Sequence, residues 1–236
     1  MKNFSKTLMI AVLIFSAVFS MNAQDFKKSD FTVFLGGSMP VGQFNKGVDL
    51  IYTVSPENTP FETTLGHAMF GANLGLRYTY RFDIGVGAFV NADLIWNALD
   101  EEIREEYNKI SKTKPMYLNI PFMVGADYRY DFSYEFGVFA EAGMGINLFK
   151  KTTEGWSASD SHPEGPIDYD LSKSFAYEIG TGIMIANTLS IGIHFYGLGN
   201  HELKPTNSTD YTLVYNGEPE AIEKVNMFMI KLGFHF

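Results

Sequence analysis

From Phe31 to the end of the chain, apolar and polar residues exchange places with a period of two in eight separate segments. Successive side chains of a β-strand point to opposite faces, so a long run of this kind fits a strand with one apolar face and does not fit a helix. The segments are 31–38, 68–80, 82–96, 117–130, 135–149, 175–186, 189–196 and 225–236. In the last, Phe228, Ile230, Leu232, Phe234 and Phe236 share one face, and Met227, Met229, Lys231, Gly233 and His235 share the other. In the fourth, Leu118, Ile120, Phe122, Val124, Ala126, Tyr128 and Tyr130 stand against Asn119, Pro121, Met123, Gly125, Asp127 and Arg129.

A soluble β-sandwich also alternates, with its apolar face inward and its charged face in water. The glycines favour the inverse arrangement. Gly71, Gly75, Gly85, Gly87, Gly125, Gly137, Gly143, Gly145, Gly180, Gly182, Gly192 and Gly233 all fall on the polar face. A solvated face gains nothing from glycine, which weakens strands. The interior of a narrow barrel does gain, because small residues there make room for Arg, Glu, Phe89 and Phe139 opposite them.

The connections alternate between long (39–67, 97–116, 150–174, 197–224) and very short (Arg81; 131–134; Asn187-Thr188). Short periplasmic turns, long extracellular loops and an even number of strands are the plan of a transmembrane β-barrel. Closure meets the demand of lipid, where an open sheet edge would leave backbone groups unpaired. Aromatic residues gather at both strand ends, as interfacial girdles do. Tyr78, Tyr80, Phe82, Tyr128, Tyr130, Phe136 and Phe234 stand at the short turns; Phe70, Trp96, Phe149, Tyr177, Phe195 and Phe228 stand at the long loops. The expected fold is all-β: an eight-stranded antiparallel up-and-down transmembrane barrel.

At the N-terminus, Lys2 and Lys6 precede an uncharged apolar run from Leu8 to Phe19, and Met21-Asn22-Ala23 ends on a small residue. This is the pattern of a cleaved secretory signal peptide, and the run is too short to span a bilayer. The expected organisation is a signal peptide over 1–23 and one barrel domain over 24–236, exported to the cell outer membrane.

With no Cys in 236 residues, thiolate zinc sites, disulfides, Cys nucleophiles and lipoprotein anchoring are excluded. A formal net charge of −9 argues against nucleic acid, whose binding needs clustered Lys and Arg.

The signal peptide ending near Asn22-Ala23-Gln24, the stretch Gly36-Gly37-Ser38-Met39-Pro40-Val41-Gly42-Gln43-Phe44 and the alternating aromatic terminus at Phe236 resemble the small outer-membrane β-barrel family common in Bacteroidetes, of PorT-like or OmpX-like type. Tyr117-Leu118-Asn119-Ile120-Pro121-Phe122-Met123-Val124-Gly125 is similar to its fourth strand. PorT-like members act in secretion and many others have no known activity, so the resemblance implies membership more than a role. It also implies that Phe228, Ile230, Leu232, Phe234 and Phe236 form the signal read by the barrel-assembly machinery.

Arg77, Arg129 and Lys231 on the polar face oppose Asp83, Asp93, Asp127, Glu135, Glu141 and Glu178, with His194 and His235 nearby. Buried charges have to be paired and hydrogen-bonded, so the expected arrangement is a salt-bridge plug in the periplasmic half, with Arg77, Arg129 and Lys231 set against Asp83, Asp127 and Glu135. The competing reading is a narrow cation-preferring path past Glu141, Glu178 and His194. Those three could also ligate a metal, but without close sequence spacing the signal is weak, and no metal or cofactor is expected.

Leu99, Ile103, Tyr107 and Ile110 recur at helical spacing in the second long connection and predict a short amphipathic helix capping the barrel mouth. The long connections are each net acidic, together −8, which suits solubility, divalent cations bridging lipopolysaccharide, or a basic protein partner. His67, His162 and His201, with Asp160 and Ser161, are the only candidates for a loop-borne catalytic site. There is no Gly-x-Ser-x-Gly elbow and no His-Glu-x-x-His. The expected role is therefore non-enzymatic: a monomeric structural, adhesive or assembly- and secretion-related surface protein, with a narrow porin or small-solute transporter as the alternative.

Overall fold

The computed structural model describes residues 28–55, 59–82, 85–100, 116–133, 135–152, 154–156, 165–203, 205–206, 212–215 and 222–236. Eight long strands form one closed antiparallel barrel: β1 (Ser29–Val41), β2 (Ala68–Arg81), β3 (Val86–Leu99), β4 (Met116–Asp131), β5 (Phe136–Lys151), β6 (Ser172–Ile185), β7 (Leu189–Glu202) and β8 (Ile222–His235). Each strand pairs with its neighbour in sequence, and β1 closes the ring on β8. Leu35 shows the closure at one position, facing Leu74 on β2 and Leu232 on β8.

The alternation decides which way each residue points. Leu35, Leu76, Val90, Phe122, Val124, Met144, Ile146, Ile179, Ile193 and Ile230 are exposed on the outer wall, while Thr32, Asn73, Arg77, Asp93, Glu141, Glu178, His194 and Lys231 are buried in the lumen. A soluble protein does not present a continuous apolar exterior around a charged interior, and a barrel in lipid does. Exposed Tyr78, Tyr80, Phe82, Tyr128, Tyr130, Phe132 and Phe136 border this band at the short-turn end, and Phe70, Trp96, Phe175, Tyr177 and Phe228 border it at the other. Phe149 departs from the expected girdle. It is fully buried inside the barrel.

Several strands run past the lipid-facing band, and their backbone pairing continues into the long connections. Strand β1 reaches Val41, β7 reaches Glu202 and β8 begins at Ile222, each beyond the expected limits. The connections carry sheet of their own: Val48–Ser55 pairs with Thr59–Leu65 and with Thr212–Tyr215. Glu154–Trp156 and Pro205–Thr206 flank Gly165–Tyr169. The fourth long connection is thus hydrogen-bonded to the first and the third.

The strand expected from residue 82 begins at Val86. Phe82 and Gly85 bound the connection instead, with Phe82 N–H donating to the Val86 carbonyl at 2.7 Å and Gly85 at φ 82. A single residue, Arg81, is too short to reverse an antiparallel pair. The three-residue connection between β6 and β7 has Ala186 at φ 48 and Asn187 at φ 59, a positive pair that suits strand twist, and Thr188 N–H donates to the Ile185 carbonyl at 3.1 Å. Leu99, expected in a helix, is the buried last residue of β3, and 101–115 lie outside the described residues. The proposed signal peptide over 1–23 also lies outside them.

Candidate functional site

The lumen is the chemically distinctive part of the molecule, and its side chains form a ladder of layers. At the short-turn end, His235 Nδ1 lies 2.7 Å from Asp30 Oδ2, Nε2 lies 2.9 Å from Ser190 Oγ, and Arg81 pairs with Asp127 at 2.7 Å. These groups line a small recess, of about 20 Å³, that reaches inward to Arg77 and Glu141.

Above the recess, ion pairs cross the lumen. Arg77 on β2 donates from both terminal nitrogens to Glu141 on β5, at 2.5 and 2.7 Å. One of those nitrogens also approaches Glu178 on β6, the strand diametrically opposite, at 3.4 Å. The guanidinium is stacked 4.0 Å from the Phe89 ring centroid and 5.0 Å from that of Phe34. Lys231 on β8 donates to both oxygens of Asp93 on β3 at 2.9 and 3.0 Å. Tyr196 on β7 donates to Asp93 at 3.0 Å. Asn73 and Asn91 fill in, Asn73 donating to Asp93 at 2.7 Å and Asn91 to Glu178 at 3.1 Å. Bidentate, charge-assisted bonds of this kind are the strong ones, and a buried cluster needs them.

A further layer is mostly uncharged. Asn97 donates to Ser38 at 2.9 Å, and Asn147 to Asn119 at 2.8 Å. Ile95, Met123, Met227 and Met229 pack around them. The mouth is then closed from above by a one-turn helix, α1 (Gln43–Lys46), set between Gly42 and Gly47, both at positive φ. Phe44 of α1 is 0% exposed and meets Tyr117 at 5.2 Å and Phe149 at 6.3 Å between ring centroids, edge to face in both cases. Tyr117 stacks on Phe149 at 5.9 Å and donates its hydroxyl to the Gly66 carbonyl at 2.7 Å.

His201 and Glu223 belong to this uppermost layer, facing each other across β7 and β8. Exposed Asn200 and Lys224 beside them place the layer outside the lipid band. Burial pushes the Glu223 carboxyl up to about 8, despite the opposing charge of Lys151 and the backbone at Gly66. Burial likewise pushes the His201 imidazole down to about 4, against the contact with the Leu198 carbonyl.

The sequence-selected residues divide accordingly. Arg77, Asp93, Glu141, Glu178, His194 and Lys231 form the central cluster; Asp127 lies below it with Arg81. Arg129 pairs instead with Asp131 at 2.7 Å and contacts Asn187 in the β6–β7 turn. Glu135 is exposed in the β4–β5 turn and takes no part, since β5 begins one residue later. Asp83 lies outside the described residues. The plug therefore sits higher than expected and joins other partners, because a residue's height in the lumen follows strand tilt and register, which the sequence pattern does not carry. Tyr196, the lumen asparagines, Lys151, Glu223 and the Phe44 cap were not among the candidates. The asparagines share the parity of Arg77 and Glu141, which is a legible signal, whereas Phe44 lies in no strand.

Of the loop histidines, His162 with Asp160 and Ser161 lies outside the described residues. His67 sits at φ 51 with its ring in the space a Gly47 Cβ would fill, 2.1 Å away. His201 Nδ1 is 3.3 Å from Ser172 Oγ, but its Nε2 is 2.9 Å from the Leu198 carbonyl, so no ring nitrogen is left for an orienting carboxylate.

No protein-family model and no curated protein matches the sequence. Solved structures do match. The outer membrane protein OprG from Pseudomonas aeruginosa aligns with a TM-score of 0.49 at 15% identity, covering 88% of this chain and 96% of that one. A major outer membrane protein from Thermus thermophilus aligns with a TM-score of 0.49 at 11% identity, covering 88% and 99%. The outer membrane enzyme PagL aligns with a TM-score of 0.39 at 13% identity, covering 88% and 98%. Values this low transfer neither activity nor partner. The chain's own geometry defines the class: a closed eight-stranded β-barrel with an apolar outer band and a filled, ionic lumen.

Proposed function

We propose that this is an outer-membrane barrel whose lumen is structural and closed, and whose working surface is the set of long connections outside the membrane. The observation that carries the reading is that Arg77–Glu141, Asn91–Glu178, Tyr196–Asp93 and Lys231–Asp93 each join non-neighbouring strands and so bridge the lumen from wall to wall. A water-filled channel has charges along its wall and water between them; here the opposing walls bond directly to each other. The role that fits is non-enzymatic: a monomeric structural, adhesive or assembly- and secretion-related surface protein, seated in outer-membrane lipid and lipopolysaccharide. Its acidic connections suit a basic protein partner or bridging divalent cations. Membership in the Bacteroidetes barrel family, of PorT-like or OmpX-like type, and use of Phe228, Ile230, Leu232, Phe234 and Phe236 as the assembly signal belong to the same proposal.

Refolded chain in planar bilayers tests it, with heat-modifiable gel mobility confirming the folded barrel. The expected result is a folded barrel with no steady conductance. Steady cation-selective current, altered by neutralising Glu141 or Glu178, would replace this reading with the narrow porin.

A further inference from the structure

Among the described residues, the central cluster holds three carboxylates, Asp93, Glu141 and Glu178, against two fixed cations, Arg77 and Lys231. All five are buried and cross-linked, so the carboxylates outnumber the fixed cations by one in a low-dielectric setting, where unpaired charge is costly. His194 adjoins that excess. Its ring is 1% exposed, Nδ1 lies 3.1 Å from Glu141 Oε1 but out of line for a hydrogen bond, and Nε2 has no hydrogen-bond partner. A buried imidazole beside a carboxylate cluster, with Nδ1 against Glu141 and Nε2 unpartnered, has a lone pair to offer a cation.

The backbone has been kept clear around it. Gly180 on β6 pairs with Glu141 on one side and His194 on the other, placing the three in one row across three strands. A Cβ at Gly180 would stand 2.3 Å from His194 Nδ1, and a Cβ at Gly143 would stand 3.0 Å from Glu178 Oε1. The two glycines leave the space in which one atom each from Glu141, Glu178 and His194 comes within 4.8 Å of the others. Metal–ligand bonds of about 2.0–2.2 Å put two ligand atoms at most about 4.4 Å apart, so a small side-chain adjustment brings the three onto one cation.

From this geometry we infer that Glu141, Glu178 and His194 form a buried binding site for one divalent transition-metal ion of the zinc type. The carboxylates are hard ligands, and it is the borderline imidazole that favours zinc or manganese over magnesium, which prefers oxygen alone. Arg77 remains hydrogen-bonded to Glu141 and orients it, as outer-shell partners of ligating carboxylates do. The route in is the recess from the short-turn end, whose inner wall includes Glu141. The ion offsets the carboxylate in excess of the two fixed cations.

The test uses the refolded full chain in lipopolysaccharide-free detergent, titrated with Zn²⁺ by calorimetry and, separately, with Co²⁺ followed by its visible absorption. The expected result is one Zn²⁺ per barrel and a Co²⁺ spectrum of low-symmetry nitrogen–oxygen coordination. Affinity should fall at least about tenfold in His194→Gln, in line with loss of one ligand. Glu178→Gln should weaken it as much, while Glu223→Gln, in the layer above, leaves it unchanged. Gly180→Ala is a second variant that keeps every ligand and displaces the imidazole; it too should weaken binding, and gel mobility verifies that each barrel is folded. Absence of stoichiometric Zn²⁺ binding by the wild-type barrel would overturn the assignment. So would binding indifferent to His194→Gln, which would place the metal on the acidic exterior, or Mg²⁺ binding as tight as Zn²⁺.

Discussion

Arg77 and Glu141 meet across the middle of the lumen, 64 positions apart in sequence, through two parallel hydrogen bonds at 2.5 and 2.7 Å with both side chains almost fully enclosed. Removing the cation leaves Glu141 and Glu178 buried without it. Arg77→Met should cost about 3–5 kcal/mol, the penalty for an orphaned buried charge, whereas the double change Arg77→Met with Glu141→Met should recover much of it. Denaturant unfolding of the refolded barrel in vesicles measures both. A double-variant loss equal to the sum of the losses in Arg77→Met and Glu141→Met alone would show that the pair contributes no coupling.

Phe44 closes the mouth with an aromatic side chain buried against Tyr117 and Phe149. Phe44→Ala should destabilise by about 3–5 kcal/mol if the site cannot collapse, and less if α1 simply lifts away. Conductance should stay absent, because the ionic bridges lie deeper in the lumen. A current in this variant alone would assign the seal to Phe44 and not to the bridges.

Glu223 has a carboxyl raised from 4.5 to about 8. An acid whose folded value is raised binds more protons folded than unfolded, so it favours folding fully only at low pH, and stability is lost as pH rises through the window from about 4.5 to about 8. Across that window the loss is about 1.4 kcal/mol for each pH unit. Glu223→Gln should flatten this slope and leave the barrel more stable near the upper end of the window. Unfolding curves at closely spaced pH values would reveal whether the slope survives the substitution.

His201 works in the opposite sense. Its imidazole is lowered from 6.5 to about 4, so the unfolded chain takes up a proton first and stability falls as pH drops from about 6.5 to about 4. His201→Gln, which keeps a polar group beside Asn147 and the Leu198 carbonyl, should remove that acid-side decline. An unchanged decline in the variant would assign it to other groups.

Gly145 on β5 allows two strands to approach: a Cβ there would lie 1.8 Å from the Phe122 carbonyl oxygen. Because that atom is backbone, nothing flexible can give way. Gly145→Ala should reduce the yield of heat-modifiable barrel far more than Ala142→Gly on the outer wall of the same strand, read by folding in vesicles.

The sequence by itself determined the period, and the period fixed a great deal. It set eight strands, the inner and outer faces, the belt of outward aromatics, and which charges enter the lumen, because neighbouring side chains of a strand take opposite faces whatever the rest of the chain does. Even Phe149 was legible in this sense: it shares the parity of Phe139 and Glu141, and the interfacial habit of aromatics points the wrong way. Only the tertiary structure decided heights and partners. Asp93 and Lys231 are 138 positions apart, and whether they meet depends on strand tilt and on the register accumulated around the ring. Glu135 fell outside the lumen by one residue for the same reason, and Phe44 entered it through a turn that no alternation announces. Parity is a local property of the backbone. The pairing of charges across the lumen belongs to the closed barrel, because their distance is set only once every strand has found its neighbours.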